Sequence, residues 1–346
     1  MYKVLLISDG KESGRWILSQ TKGGKGISKC GKYRFYVNED IEDPDFVIIM
    51  SKSSKEELTF NVAPENVILT TSEPYTVLAY PRDYCDQFGL VCSCQEQLKH
   101  RNVKFTPAIL FWFAGVRFDS KGNPTPLKDY DFFKAAPTPE KTKLISVVSS
   151  TKAFTHGHVE RIRFVERLKE HYGDKIDLFG RGYNGFDDKC DVVNPYKYHI
   201  VIENSSTKYY WTEKLADCYI CESYPIYYGC TNVGDYFPEG SYSTIDIHDF
   251  EGAVKTIDAL IAADSYEKAK PLLKECKDKV LDEYNLFNYL AAIMDDMDPT
   301  LPRRKVTIKP CKSMHDMHNV YNYLIGRTVF KMRRFFYRLF HKGSMC

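Results

Sequence analysis

Apolar runs of four to seven residues recur along the chain, each followed by a polar or glycine-containing turn. Tyr2 to Ile7 opens the series and leads into a polar loop from Gly10 to Gly31. Asp45 to Met50, Val67 to Thr71 and Phe88 to Cys94 have the same character and read as buried strands. The third run delivers Ser72-Glu73-Pro74 to its carboxyl end, and the aromatic stretch Phe105 to Phe113 reads as an edge segment. Asp119 to Thr142 carries four prolines and many charges, the composition of a linker. The pattern then restarts. Lys143 to Ser149 predicts a strand, Ser150 to His158 a loop, Val159 to Tyr172 an amphipathic helix, and Ile176 to Phe179 another strand. Tyr198 to Ile202 is a strand, Thr212 is a candidate N-cap before a helix through Ile220, and Pro225 to Gly229 is a further strand. Phe250 to Ala263 and Tyr266 to Met297 read as helices. Two strand–helix–strand halves joined by a linker predict an α/β protein with two Rossmann-like domains. The expected boundaries are 1–135, 136–300 and a tail over 301–346.

With 346 residues and 43% hydrophobic content, the chain is long enough for two such cores. The net charge of +2 gives no general field for nucleic acid. Tyr and Phe number 25 and 21, but such rings fill cores more often than they face ligands. No apolar run reaches the roughly 20 residues that span a bilayer, and no signal peptide opens the chain. The eleven cysteines are scattered. Cys92-x-Cys94 and Cys218-x-x-Cys221 lack a second Cys/His pair at zinc-like spacing, so they read as free thiols of a reducing compartment. Gly23-Gly24-Lys25-Gly26 lacks the remainder of a phosphate loop. No Asp-x-Asp stands beside a strand, so no metal is expected.

The most informative stretch runs from Tyr196 to Asp249. Tyr196, Lys197, Glu203, Asn204, Ser205, Tyr210, Thr212, Glu213, Lys214, Pro225 and Gly229 follow one another in a fixed order. In order and spacing they resemble the signature segment of the α-1,3/4-fucosyltransferases, the inverting transferases of glycosyltransferase family 10. The departures, Tyr198, Ile202 and Trp211, are apolar or aromatic exchanges. The resemblance implies the GT-B architecture, two Rossmann-like domains facing a cleft. It also implies transfer of L-fucose from GDP-fucose to a hydroxyl of a glycan acceptor, with N-acetylglucosamine the expected sugar and no required cofactor. Ligands of open α/β sheets bind beyond the carboxyl ends of the strands, where Glu203 to Lys214 would lie.

Such a transfer needs a base for the acceptor hydroxyl and positive charge for the departing diphosphate. The resemblance assigns the phosphates to Lys214, at the start of the signature helix, and to Arg161, in the helix after Ser149-Ser150-Thr151. Glu213 would accept from a ribose or sugar hydroxyl. Asn204 would meet the sugar or a phosphate, Tyr210 would pack against the nucleoside, and Glu203 would orient the loop from inside. The expected base is Glu73, with His156, His158 and His199 as competitors; His199 lies within a strand and reads as core.

Arg327 to Lys342 holds six Lys/Arg and no acid, interleaved with Phe330, Phe335, Phe336, Leu339 and Phe340. That basic amphipathic tail predicts contact with an anionic membrane surface. Animal members of the family carry an N-terminal anchor that this sequence lacks, so the expected setting is cytoplasmic, at the inner face of a bacterial membrane. The competing readings are a GT-B transferase using another GDP-sugar and an inactive sugar-nucleotide-binding protein.

Overall fold

The computed structural model describes residues 1–9, 11–109, 111–151 and 156–314, together with positions 328 and 332. Apart from those two positions, the tail over 327–342 lies outside the described residues. The chain forms two compact α/β units. The first holds Met1–Ala136, Lys208–Thr212 and the segment that begins at Asp278; the second holds Pro137–Thr207 and Glu213–Lys277.

The first unit contains strands β1 (Tyr2–Ile7), β2 (Tyr33–Val37), β3 (Phe46–Met50), β4 (Leu58–Val62), β5 (Val67–Thr70), β6 (Leu90–Ser93) and β7 (Val103–Phe105). Helix α1 (Arg82–Cys85) precedes β6. Six of these strands form a parallel sheet in the order β2-β1-β3-β5-β6-β7. The segment expected to be a linker contains regular structure. It carries β9 (Pro124–Pro126), paired antiparallel with β8 (Val116–Phe118), and α2 (Tyr130–Ala135). Asp129 caps α2 by accepting from the Phe132 amide at 2.8 Å, and Phe133 is buried. Capping supplied what the proline count concealed.

The second unit contains β10 (Lys143–Val148), α3 (His156–Tyr172), β11 (Ile176–Phe179), α4 (Lys189–Val193), β12 (Tyr196–Ile202), α5 (Glu213–Ile220), β13 (Tyr224–Tyr228) and β14 (Ser243–Thr244). Its five strands are parallel in the order β11-β10-β12-β13-β14. Helices α6 (Phe250–Ala262) and α7 (Ser265–Asp282) follow. From Leu215 to Ile220 every residue of α5 is buried, Asp217 among them.

The stretch expected as one helix over 266–297 breaks before α8 (Leu286–Met294). Asn285 makes the break by accepting from the amides of Phe287 and Asn288. Helix α8 lays Phe287, Leu290 and Met294 on one face of the first sheet, against Val4, Leu6, Phe46 and Ile48. Phe287 and Leu290 are fully buried and each contributes roughly 1.5–3 kcal/mol. Strand β15 (Arg304–Ile308) pairs antiparallel with β4 and brings Ile308 to the opposite face, against Leu5, Val47 and Ile49. Residues 304–308, within the segment expected as a tail, form a strand, because β4 offers an open edge and Ile308 an apolar anchor.

Candidate active site

In the second sheet the strand order reverses at β10: β11 lies on one side of it and β12 on the other. The space beyond the carboxyl ends of β10 and β12 is thus a topological switch point, where open α/β sheets take their ligands. The chain leaves β10 through Ser149 and Ser150, and α3 brings Arg161 back to that edge. Strand β12 ends one residue before Glu203 and Asn204. Arg161, 7% exposed, donates through Nη1 to Asn204 Oδ1 at 2.9 Å and through Nη2 to Ser150 O at 3.4 Å. The bond leaves the Asn204 amide NH2 available to donate. Gly157 permits this approach, since a Cβ there would lie 2.8 Å from Asn204 O. His156 and His158, expected on a loop, begin α3 instead.

Lys214 stands in the first turn of α5, and Thr212 holds the position before that helix. Lys214 Nζ lies 3.1 Å from Glu203 Oε2 and 3.3 Å from Glu213 Oε1. The Glu203 side chain is fully buried, while Glu213 is 16% and Lys214 24% exposed. Burial alone would lower the Lys214 pKa, but the two carboxylates outweigh it and raise it, against the opposing charge of Arg161. Lys214 is therefore a fixed cation. Gly229, just past β13, makes room for Glu203: a Cβ would come within 2.5 Å of Glu203 Cγ and of the Tyr227 hydroxyl.

A further ion pair was not anticipated from sequence. Lys189, the first residue of α4, pairs with Asp217 of α5, whose side chain is 1% exposed. Burial pulls the Lys189 pKa down, and the Asp217 and Glu213 charges raise it overall. A buried acid inside an apolar helix requires a partner. Asp217 was the available signal, although nothing in the sequence pointed to Lys189.

Glu73 and Tyr210 belong to the first unit. Glu73 lies three residues beyond β5, on the carboxyl side of the sheet. Its carbonyl accepts from Gln95 Nε2 at 2.7 Å and from Cys94 Sγ at 3.7 Å. Tyr210 is buried and packs with Cys94 and Ala108, with Tyr209 beside them. The structure therefore gathers Arg161, Asn204, Glu203, Glu213 and Lys214 in one unit, and places Glu73 and Tyr210 around Cys94 in the other.

His199 is 5% exposed, with Nδ1 2.7 Å from Ser146 Oγ. Burial, with Lys189 and Lys141 nearby, pushes its pKa down to about 3, so it is a neutral core residue. Cys92, Cys94, Cys218 and Cys221 are buried free thiols. Among the described residues, no three His, Cys, Asp or Glu side chains converge to hold a metal.

Two cations and an amide beside a helix N-terminus make a cradle for an anion, and Glu213 adds an acceptor for hydroxyls. On a pair of parallel α/β units, this defines the GT-B class. A crystal structure of an alpha1,3-fucosyltransferase with GDP superposes with a TM-score of 0.50 at 17% identity, over 85% of this chain and 89% of that one. Alpha-(1,3)-fucosyltransferase FucT of Helicobacter pylori is 34% identical over 77 residues, which are 22% of this chain and only 16% of that protein. Residues 138–273 match the family model described as glycosyltransferase family 10 (fucosyltransferase), C-terminal. That match lies almost wholly within the second unit.

Proposed function

We propose that the protein is an inverting α-1,3(4)-fucosyltransferase that moves L-fucose from GDP-β-L-fucose to a hydroxyl, that of N-acetylglucosamine, on a glycan acceptor. The observation that carries this reading is the Arg161–Asn204 bond at the switch point, beside the Lys214–Glu203–Glu213 cluster and inside the stretch that matches the family 10 model. Arg161 and Lys214 would hold the diphosphate. Glu213 would accept from a ribose or fucose hydroxyl, and the Asn204 amide would donate to a phosphate or to the sugar. Tyr210 would back the nucleoside side of the site.

In this reading Glu73 takes the proton of the acceptor hydroxyl as its oxygen attacks the anomeric carbon. The carbon–phosphate-oxygen bond breaks as the new bond forms, and GDP leaves with the electron pair. Attack from the opposite face turns the β-linked donor into an α-linked product. The leaving charge falls on Lys214, Arg161 and the N-terminus of α5, so the reaction as proposed requires no metal. The same proposal places the protein at the cytoplasmic face of a bacterial membrane, attached through the segment 327–342.

The test is an acceptor array with labelled GDP-fucose, followed by linkage determination on the product by NMR. Transfer of fucose to position 3 or 4 of N-acetylglucosamine supports the proposal. Transfer of a different GDP-sugar, with GDP-fucose inert, refutes it. GDP binding without turnover of GDP-fucose, whether by transfer or by hydrolysis, would make the protein a binder. Replacing Glu73 by Gln should lower turnover by about 10² or more with GDP affinity intact.

A further inference from the structure

The residues around Glu73 form a clamp that the transfer reaction itself does not explain. Gln95 lies just past β6, the strand beside β5, and is 3% exposed. Its amide nitrogen donates twice, to Glu73 O at 2.7 Å and to Leu78 O at 2.7 Å. One buried side chain thereby ties both ends of the loop 73–78 to the end of the neighbouring strand. Gln95 is itself held, because its main-chain N–H donates to Ser93 Oγ at 3.0 Å. Thr71 completes the set: its hydroxyl donates to Ser93 Oγ at 3.1 Å and accepts from the Cys94 amide at 3.1 Å. Thr71 and Ser93 are fully buried.

Inside this clamp the loop reaches outward. The amides of Val77 and Leu78 both donate to Pro74 O, while Tyr75 and Val77 are 40% and 39% exposed. A loop with an exposed tip and hydrogen-bonded, half-buried ends keeps its first residue fixed. That first residue is Glu73.

From this geometry we infer that Gln95 is a positioning residue for the general base: its double donation fixes the main chain from which the Glu73 carboxylate reaches the acceptor hydroxyl. The inference rests on the assignment of Glu73 made above. Proton abstraction requires hydrogen-bond distance in the reacting complex, and a displacement of about 1 Å costs up to about 10²-fold in rate. Two hydrogen bonds to main-chain carbonyls restrain position without touching the carboxylate, which separates positioning from catalysis.

The experiment is a double-mutant cycle on the full chain. Gln95→Met keeps the volume and removes both donations; Gln95→Ala is the second variant, in case the first does not fold. The measured quantities are kcat, acceptor KM, GDP affinity by calorimetry and the melting temperature. The expected result is a fall in kcat of about 10–10²-fold for the Gln95 variant, with GDP affinity within twofold of the parent. In a Glu73→Gln background the same Gln95 change should produce no further loss, because its effect passes through Glu73. If the losses multiply, or if the Gln95 variants keep full kcat while Glu73→Gln is impaired, Gln95 is a structural residue and the inference is overturned, with Glu73 left standing. If Glu73→Gln keeps full turnover, the base assignment falls and the inference with it.

Discussion

Replacing Lys214 by Met separates two roles that the geometry gives to one cation. The lysine lies between Glu203, whose side chain has no exposure, and Glu213. Removing it takes from a buried carboxylate a cation 3.1 Å away, a change that costs about 3–5 kcal/mol. At about 2.1 cal/mol/K of unfolding entropy per residue, each kcal/mol moves the melting temperature of a chain of this length by about 1.4 °C, so a fall of roughly 4–7 °C is expected in a calorimetric or dichroism melt. Adding Glu203→Gln removes that carboxylate charge and should restore most of the loss. It should not restore GDP binding. A charged donor to phosphate is worth about 1.5–3 kcal/mol, so GDP affinity should fall roughly 10–150-fold in the single and the double variant alike. Isothermal titration with GDP reads this directly. A single variant that melts within about a degree of the parent would refute the ion-pair argument, the 1 °C margin being well under the shift expected from a buried pair. A double variant that binds GDP as tightly as the parent would make Lys214 a purely structural residue.

Arg161→Ala should weaken GDP as well as GDP-fucose, and intact GDP binding in calorimetry would remove Arg161 from the phosphate site. Gly229→Ala places a Cβ 2.5 Å from Glu203 Cγ; overpacking of about 1–3 kcal/mol in urea denaturation and weaker GDP binding are expected, and parental values for both would refute the role given to that glycine. His199 has a folded-state pKa of about 3 against 6.5 unfolded. The unfolded chain therefore binds the extra proton as pH falls below 6.5, and stability should drop by about 1.4 kcal/mol per pH unit from this group toward pH 3. Above pH 6.5 the group contributes no pH dependence, and His199→Gln should flatten the acidic limb of the stability curve.

What could be read in the sequence, and what could not, follows from how far apart the interacting residues lie. Parallel strands covered on both faces appear as unbroken apolar runs, so β10, β11 and β13 were legible within a residue or two. The signature order was legible as a pattern, but it does not say which of its members do chemistry. Tyr196 donates to Asp177 at 2.6 Å, and Lys197 pairs with Asp264 and Glu267 at 3.2 and 3.3 Å. Both tie β12 into its surroundings and touch neither Arg161 nor Lys214. Helix α4 spans five residues, too few for a helical period, so Lys189 carried no local sign of its pairing with Asp217.

The polar bonds of the site were illegible for a single physical reason. They depend on strand register, which is a tertiary quantity. Ser146 pairs with His199 and Val147 with Ile200. That alignment alone makes β10 and β12 end side by side, and so decides that the chain after Ser149 meets the chain after Ile202. Arg161 and Asn204 are 43 positions apart, and their bond follows once the register is set. The same holds in the first sheet, where Leu69 pairs with Val91 and Thr70 with Cys92. That pairing carries Gln95 to Glu73, 22 positions away. A slip of one residue in either pairing would turn every side chain to the other face of its strand and take apart both clusters. The apolar runs that were legible in the sequence set that register, and the polar bonds that were not legible follow from it.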